Sequence, residues 1–229
     1  MYLAESRYRE PKEIFKLVAA RLREAGLPPG ARVADLGCAA GELLHLLRRE
    51  LPDAELLGFD VVPELLEKAR HEVPGAAFAQ ASVLDPDALP GATLDAALML
   101  GVHSIFDDVE PWLGNLVRWT RPGGLILVFG LFNPHPVDVW IRYRDVERHG
   151  PEHRERGWNN LSQRTVGDAV ERLLGPGRHA FTPFSLPFDL APNPDDPIRS
   201  WTEPLAGGGR TFANGLGLHG DLHLLEIRR

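Results

Sequence analysis

Residues 31–50 read ARVADLGCAAGELLHLLRRE and join a short apolar run to an amphipathic one through a glycine-rich turn. The apolar run predicts a buried strand, and the run after Gly41 has the spacing of a helix. A glycine turn between a strand and a helix is a place where a nucleotide-like ligand can approach the backbone closely. Ala39 lies in this turn, at a position where many such loops have glycine. The ligand must therefore tolerate a methyl group there, which we expect to be possible if Ala39 keeps a negative φ.

Strand-like and helix-like patterns alternate along most of the chain. The strand-like patterns are at residues 32–37, 54–60, 76–82, 94–100, 121–132, 178–186 and 221–227, and the helix-like patterns are at residues 11–25, 42–51, 63–73, 109–120 and 162–174. Strands separated by helices predict an α/β fold, in which helices cover both faces of a doubly wound parallel sheet. Two irregular stretches, about 132–161 and 187–220, are longer than ordinary loops, and we expect them to cover the substrate.

Composition narrows the possible class of protein. The chain has 229 residues, which suits a single domain, and a net charge of −7, which disfavours a nucleic-acid partner. Its one cysteine excludes an intramolecular disulfide and favours a reducing compartment. No run reaches the ~20 apolar residues of a membrane span, and the N-terminal residues lack the order of a secretion signal. We therefore expect a cytoplasmic protein that does not enter a membrane, either a monomer or a homodimer.

The spacing of the turn argues against a phosphate-bearing ligand. A dinucleotide fingerprint that starts at Gly37 needs glycines at positions 39 and 42, where this chain has Ala39 and Glu42. The negative charge of Glu42 would repel a pyrophosphate at the start of the helix. This disfavours a nicotinamide-dependent dehydrogenase.

Four motifs in order resemble class I S-adenosylmethionine-dependent methyltransferases of the small-molecule type. VADLGCAAGELL is similar to the first motif of that family, D/E-x-G-x-G-x-G, and Ala39 departs from its middle glycine. LLGFDVVPELLEKAR resembles the second motif, with Asp60 as the acidic residue that ends a strand. TLDAALMLGVHSIFDD and VRWTRPGGLILVFG resemble the segments around the fourth and fifth strands.

The resemblance implies a Rossmann-like three-layer α/β/α domain over residues 1–229, with seven strands of which the last is antiparallel. It also implies an N-terminal helix at about 10–26, S-adenosyl-L-methionine as cofactor, and a carboxylate, Asp60, that binds the ribose hydroxyls. Asp35 is expected to reach the ammonium group of the cofactor, and Cys38 to pack against it. The cofactor-binding residues implied are Asp35, Gly37, Cys38, Ala39, Gly41, Asp60, Val61, Ser82, Val83 and Leu100.

The expected activity is methyl transfer to a small-molecule acceptor, with a hydroxyl oxygen favoured. His103, just past the fourth strand, and His135, past the fifth, are the candidate catalytic bases, because histidine suits proton transfer near pH 7. The candidate substrate-binding residues are His103, Asn133, His135, Arg142, Tyr143, Arg144 and Trp158.

Several alternatives remain open at this point. Residues 140–158 are either a solvated helical cover with internal charge pairs or part of an acceptor pocket. Arg7 and Tyr8 are either part of a lid over the cofactor or of a fixed surface segment. The alternation of His219, Asp221 and His223 is more typical of strand-face side chains than of ligands, and we predict no metal. The alternatives in function are an N-methyltransferase, a protein or RNA methyltransferase, and a non-catalytic cofactor-binding module.

Overall fold

A computed structural model of the protein describes residues 7–229, so residues 1–6 of the predicted domain lie outside the described residues. The helices of the described part are α1 (Glu13–Glu24), α2 (Glu42–Glu50), α3 (Pro63–Glu72), α4 (Glu110–Trp119) and α5 (Gln163–Leu174). Its strands are β1 (Arg32–Leu36), β2 (Glu55–Asp60), β3 (Ala77–Gln80), β4 (Leu94–Leu100), β5 (Thr120–Leu131), β6 (Arg142–Tyr143), β7 (Glu155–Arg156), β8 (His179–Phe184), β9 (Trp201–Pro204), β10 (Arg210–Ala213), β11 (His219–Gly220) and β12 (Leu222–Arg228). None of the helices within residues 7–229 is long and apolar enough to cross a membrane.

Seven strands form one sheet in the order β3-β2-β1-β4-β5-β12-β8. The pairs among the first five of these strands are parallel, whereas β12 runs antiparallel to both β5 and β8. The predicted seven-stranded, mostly parallel sheet with an antiparallel last strand is therefore confirmed. The chain order reverses between β1 and β4, and ligands of open α/β sheets bind at the carboxyl ends of the strands beside such a reversal.

Helices cover both faces of this sheet and give the predicted three layers. Buried side chains of α1, α2 and α3 pack in one cluster, and those of α4 and α5 pack in the other. Val33 of β1 contributes to the first cluster and its neighbour Ala34 to the second, as the two-residue period of a strand requires. Because both faces are covered, the central strands are mostly apolar on both sides, as in LDAALML of β4, where Asp95 is the one charged residue.

The two irregular stretches contain small sheets of their own. Strands β6 and β7 pair within the first stretch, and β9, β10 and β11 form a three-stranded sheet within the second. The helical cover considered for residues 140–158 is wrong, since the described backbone there holds the two short strands and turns. Gly150 and Pro151 explain this, because proline in a helix interior removes a hydrogen bond and clashes with the preceding turn.

Candidate functional site

The glycine turn that follows β1 lies at the carboxyl edge of the sheet and is fastened to β2. The backbone N–H groups of Gly37 and Cys38 both donate to the carbonyl oxygen of Phe59, at 2.7 and 2.9 Å. Gly37 has φ 86°, and a Cβ at this position would collide with Cγ2 of Val102. Gly41, with φ 80°, begins α2. Both glycines therefore occupy backbone conformations that L side chains rarely adopt.

Ala39 also has a left-handed backbone, with φ 45°. The expectation of a negative φ at this residue is wrong. The Ala39 N–H donates to Oδ2 of Asp60 at 2.9 Å, which helps to hold the turn in this conformation. The glycine at this position in the family motif is thus explained by the backbone, and alanine bears a strain there of about 1–2 kcal/mol.

Replacing Ala39 with glycine is expected to raise the free energy of unfolding by about 0.5–1 kcal/mol. Glycine relieves the left-handed strain and loses part of that gain to the entropy of the unfolded chain. Urea unfolding of wild type and variant measures the difference. Ala92→Gly, at another left-handed alanine (φ 54°), should show a similar gain. Equal stability of Ala39→Gly and wild type would contradict strain at this turn.

Two buried carboxylates face the turn. Asp60, at the end of β2, accepts the Ala39 N–H through Oδ2 and the Val62 N–H through Oδ1, the latter at 3.0 Å. Asp35, near the end of β1, is only 4% exposed, and no residue among 7–229 donates a hydrogen bond to its carboxylate. Burial, and to a lesser extent the charge of Asp60, raises the pKa of Asp35 to about 7. An acidic, donor-poor site of this kind attracts a cation and repels phosphate.

The predicted adenosine region lies beyond Asp60 and presents apolar surface. Val61, directly after the buried strand β2, is 58% exposed, and Leu84, four residues after β3, is 42% exposed. Ser82 uses its Oγ to accept the Leu84 N–H at 3.2 Å, while Val83 is buried beneath. Exposed aliphatic groups beside the Asp60 carboxylate would fit an adenine ring that lies between them.

The residues of the turn therefore fit a phosphate-free cationic nucleoside. Asp35 would hold the ammonium group of S-adenosylmethionine, Asp60 the ribose hydroxyls, and the backbone from Gly37 to Gly41 the amino-acid end. Leu100 ends β4 beside the turn. Cys38 is buried, which raises the pKa of its thiol well above the usual range, so this residue is suited to packing.

The segment before α1 lies on the same turn. The Arg7 N–H donates to Oε1 of Glu42 at 2.8 Å, and the Tyr8 hydroxyl donates to the carbonyl oxygen of Ala40 at 2.8 Å. Tyr8 is buried and packs edge-on against His45. These contacts join Arg7 and Tyr8 to the start of α2, and the role of this segment as a lid over the cofactor stays a prediction.

A cavity of about 1000 Å³ opens at the carboxyl edge, next to this segment. Its apolar lining comes from α1, β5, β8, β10, β12 and the stretch after β8: Ile14, Phe129, Phe184, Leu186, Phe188, Leu190, Phe212 and Leu222. Its charged lining consists of Arg7, Arg9, Lys12, Lys16 and Arg199 with Glu10 and Glu13. Phe129 accepts the Gly101 N–H at its carbonyl, so the cavity lies one strand from the end of β4. A cavity of this size and lining suits a small amphipathic molecule with an anionic group.

His103 lies in the core, in a 3₁₀ turn after β4. Its ring stacks on Phe132 at a centroid distance of 4.3 Å, and its Nε2 pairs with the carbonyl oxygen of Leu131 at 2.9 Å. Its Nδ1 is buried and has no hydrogen-bond partner among residues 7–229. Burial lowers the pKa of His103 to about 4. In this arrangement neither ring nitrogen is open to an acceptor, and the catalytic role stays a prediction.

His135 and Asn133 form a local turn after β5. The Asn133 side chain accepts the His135 N–H at 3.1 Å and donates to the carbonyl oxygen of Val137 at 2.8 Å. The His135 side chain is exposed. The structure therefore keeps these two predicted residues together but does not place them in the cavity lining.

The remaining predicted acceptor residues are also outside the cavity lining. Arg142 donates from Nη2 to both oxygens of Asp107, at 2.7 and 2.8 Å, and this bond lowers the pKa of Asp107. Tyr143 donates its hydroxyl to Oε2 of Glu155 at 3.1 Å. Arg144 and Trp158 are half-buried, and Trp158 has φ 60°. The bidentate Arg142 contact fastens residues 132–161 to the loop after β4.

The cavity lining was missed by sequence reasoning, because it is assembled from segments far apart in the chain. Its residues come from α1, β5, β8 and the stretch 187–220, which the sheet order brings together at one edge. Excess phenylalanine near the ends of the predicted strands, at Phe129 and Phe184, is the available signal. The charged residues of the lining that lie before α1 and in its first turn form no sequence pattern that predicts a cavity.

Part of the chain is similar in sequence to known methyltransferases. Residues 34–126 match the family described as "Methyltransferase domain". The trans-aconitate 2-methyltransferase of Methylobacterium nodulans is 37% identical over 111 residues, which are 47% of this chain and 41% of that protein. The malonyl-[acyl-carrier protein] O-methyltransferase of Hahella chejuensis is 30% identical over 118 residues, which are 51% of this chain and 41% of that protein. The chain thus spans about two fifths of the length of both relatives.

A solved structure extends the likeness to almost the whole chain. CalS10, an amino pentose methyltransferase of Micromonospora echinaspora solved with S-adenosylmethionine bound, has a TM-score of 0.57 at 16% identity, over 99% of this chain and 93% of that one. At this level of identity the likeness concerns the fold. The chain thus has the fold of this methyltransferase, and its residues 34–126 are similar in sequence to methyltransferase domains.

Proposed function

We propose that this protein transfers the methyl group of S-adenosylmethionine to an oxygen atom of a small amphipathic acceptor that carries a carboxylate. The observation that carries the proposal is the position of the cavity, which has apolar walls and a basic rim. It lies at the same sheet edge as the acidic glycine turn and is linked to the start of α2 through Arg7. When bound, the cofactor supplies an electrophilic methyl group on a sulfonium sulfur. The protein's contribution is to hold an acceptor oxygen in line with that methyl group.

The charges of the cavity favour an anionic acceptor. Its lining has five cationic side chains against two carboxylates. Lys16 is paired with Glu13 at 2.5 Å, whereas Arg9 and Lys12 have no ion pair with any residue from 7 to 229. Arginine and lysine at the rim bind a carboxylate by charge-assisted hydrogen bonds, while the phenylalanine walls bind an apolar body.

The kind of acceptor oxygen depends on whether a base is present. A hydroxyl acceptor needs a group that takes its proton. Of the two expected bases, His103 has its nitrogens held in the core and His135 lies outside the cavity lining. A carboxylate is already deprotonated at neutral pH and needs no base. A carboxylate oxygen therefore fits the described contacts better than a hydroxyl oxygen.

The named activities of the two relatives support this choice of acceptor. One acts on trans-aconitate and the other is an O-methyltransferase of a malonyl group. Both molecules are carboxylic acids with a short carbon chain. Their similarity covers only about half of this chain, so the acceptor itself is assigned from the cavity.

A panel of possible acceptors whose carbon chains have equal length tests the proposal. Carboxylic acids, alcohols and amines of equal apolar length are incubated with the protein and S-adenosylmethionine, and the formation of S-adenosylhomocysteine is measured. The acids are expected to react and to yield methyl esters, and His103→Gln should retain most of its turnover with them. A fall in turnover of about 10²-fold or more in His103→Gln would instead support a base. Reaction of alcohols or amines alone would overturn the carboxylate assignment, and no reaction with any class would favour a cofactor-binding module.

The double substitution Arg9→Gln with Lys12→Gln tests the rim. We expect KM for a reactive acid to rise about three- to tenfold, as is typical for the loss of solvent-exposed charge pairs, with kcat little changed. Arg49→Gln, an exposed arginine near the far end of α2, is the matched control. If the double variant and wild type have the same KM, the rim does not bind the acceptor.

A further inference from the structure

A cluster of metal-ligand side chains lies in the loop that joins β6 to β7. Nδ1 of His149 is 3.0 Å from Oε1 of Glu155, and Nε2 of His153 is 3.8 Å from the same oxygen. The three ligand atoms all lie within 4.8 Å of one another. The two imidazole rings stack at a centroid distance of 3.9 Å. All three side chains are about one third to one half exposed, so an ion has access to them.

The distances are close to those around a tetrahedral metal ion. With Zn–N and Zn–O bonds of about 2.0–2.1 Å, two ligands of one ion are about 3.3 Å apart. The separations of 3.0 and 3.8 Å lie on either side of this value. The ligand atoms are therefore close enough for one ion, and the two stacked rings would have to turn out of their parallel arrangement so that both nitrogens face it.

The contacts of His149 and Glu155 distinguish this cluster from an ordinary ion pair. Nδ1 of His149 is buried and forms no hydrogen bond within residues 7–229, although a carboxylate oxygen is 3.0 Å away. Glu155 has arginines on both sides in sequence, yet its described contacts are with the two histidines and Tyr143. Two nitrogen ligands and a carboxylate are a ligand set that zinc prefers.

The neighbouring arginines are engaged elsewhere. Arg148 pairs with Asp145 at 3.1 Å, and Arg154 donates to the backbone carbonyl groups of Pro151 and His153. Arg156 points to Asp107, with a separation of 3.5 Å. None of these three arginines forms a described ion pair with Glu155. The Glu155 carboxylate is therefore available to a metal ion.

The loop and its surroundings hold the ligands in position. Tyr143 lies directly opposite Glu155 in the β6–β7 pair and donates its hydroxyl to Oε2, which leaves Oε1 to face the histidines. The Asp145 carboxylate accepts the N–H groups of Glu147 and Arg148 and so orders the turn before His149. A hydrogen bond to a ligating carboxylate is the kind of support that metal sites generally have.

We propose that His149, His153 and Glu155 form a binding site for one divalent transition-metal ion of the zinc type, with a fourth position open to water. Nitrogen ligands exclude Mg²⁺ and Ca²⁺ as the preferred ions, since both favour oxygen ligands. The ion would join the loop between β6 and β7 to strand β7. The proposal does not depend on methyl transfer.

Metal titration of the full chain tests the site. Protein treated with a chelator and then freed of it is titrated with Co²⁺, whose visible absorption reports tetrahedral coordination, and Zn²⁺ is then added to displace it. We expect one equivalent to bind. His149→Ala, His153→Ala and Glu155→Gln should each weaken binding at least about tenfold, and Tyr143→Phe should weaken it about 10- to 100-fold through loss of the supporting hydrogen bond. Circular dichroism verifies that each variant is folded.

A control variant separates this site from adventitious binding. His71, which is 85% exposed and lies beside Glu72, is a surface histidine outside the cluster. His71→Ala should bind Co²⁺ like wild type. Absence of binding by wild type, or equal binding by wild type and the His149→Ala, His153→Ala double variant, would overturn the proposal.

Discussion

Replacing Asp35 with asparagine is expected to weaken the binding of S-adenosylhomocysteine about 10- to 100-fold while making the ligand-free protein more stable above pH 7. The carboxylate is buried and receives no hydrogen bond from residues 7–229, so its charge is maintained at a cost to folding. When ionised, it is positioned to attract the ammonium group of the ligand. A charged hydrogen bond of this kind contributes about 1.5–3 kcal/mol.

The pH dependence of stability follows from the raised pKa of Asp35. Its pKa is about 7 in the folded protein, against an ordinary value of about 3.9 in an unfolded chain. Between about pH 4 and pH 7 the folded state therefore keeps a proton that the unfolded state has lost. The free energy of unfolding falls as the pH rises through this window, by up to about 4 kcal/mol, and the loss is complete above the folded pKa.

Unfolding and binding measurements together check this prediction. Urea unfolding of wild type should give a lower free energy of unfolding at pH 8 than at pH 5, and the difference should be smaller for Asp35→Asn. Calorimetry should detect proton release when S-adenosylhomocysteine binds below pH 7, because the ammonium group favours the ionised carboxylate. 5′-Methylthioadenosine, which lacks the amino-acid end, should bind wild type and variant equally. If both ligands lose affinity to the same extent, Asp35 does not contact the ammonium group.

The strands were predictable because both faces of the sheet are buried. β4 was predicted at residues 94–100 and spans Leu94–Leu100, since a strand covered on both faces is a mostly apolar run, here with Asp95 as its one charged residue. Helix α5 was likewise predictable from Ser162, whose hydroxyl accepts the Thr165 N–H at 3.0 Å. Local chemistry is sufficient for such elements.

The covering segments were not predictable in the same way. Strands β9 to β11 are two to four residues long, too short for a period of two to be read from the sequence. The order of residues 140–158 depends on contacts between distant residues, such as those of Arg142 and Asn159 with Asp107. Such contacts appear only once the chain is folded.

The turn and carboxylates of the candidate cofactor site could be located from the sequence, whereas the candidate acceptor cavity could not. Asp35, Gly37, Gly41 and Asp60 belong to two consecutive βα units, so their spacing in sequence reflects their spacing in the fold. The glycine of the family motif at the position of Ala39 is itself a signal of the left-handed backbone there, and the predicted negative φ was wrong. The cavity depends on β12 lying between β5 and β8, which no local pattern encodes.

Replacing Asp60 with alanine is expected to weaken the binding of S-adenosylhomocysteine about 100-fold and to lower the free energy of unfolding by about 1–3 kcal/mol. The carboxylate accepts two backbone N–H groups, from Ala39 and Val62, and its removal leaves both without this partner. One of these donors belongs to the left-handed Ala39, so the turn itself should loosen. The ligand then loses both its ribose contact and a preformed backbone.

The two effects of Asp60 are separable with a modified ligand. Adenosine and 2′-deoxyadenosine differ by one ribose hydroxyl, and wild type should prefer adenosine if Asp60 accepts a hydrogen bond from it. Asp60→Ala should bind both weakly and with little preference. Asp53→Ala, an exposed carboxylate between α2 and β2, serves as the control and should retain the wild-type preference. A preference for adenosine that persists in Asp60→Ala would assign the ribose contact to another group, and Asp60 would then act only through the turn it holds.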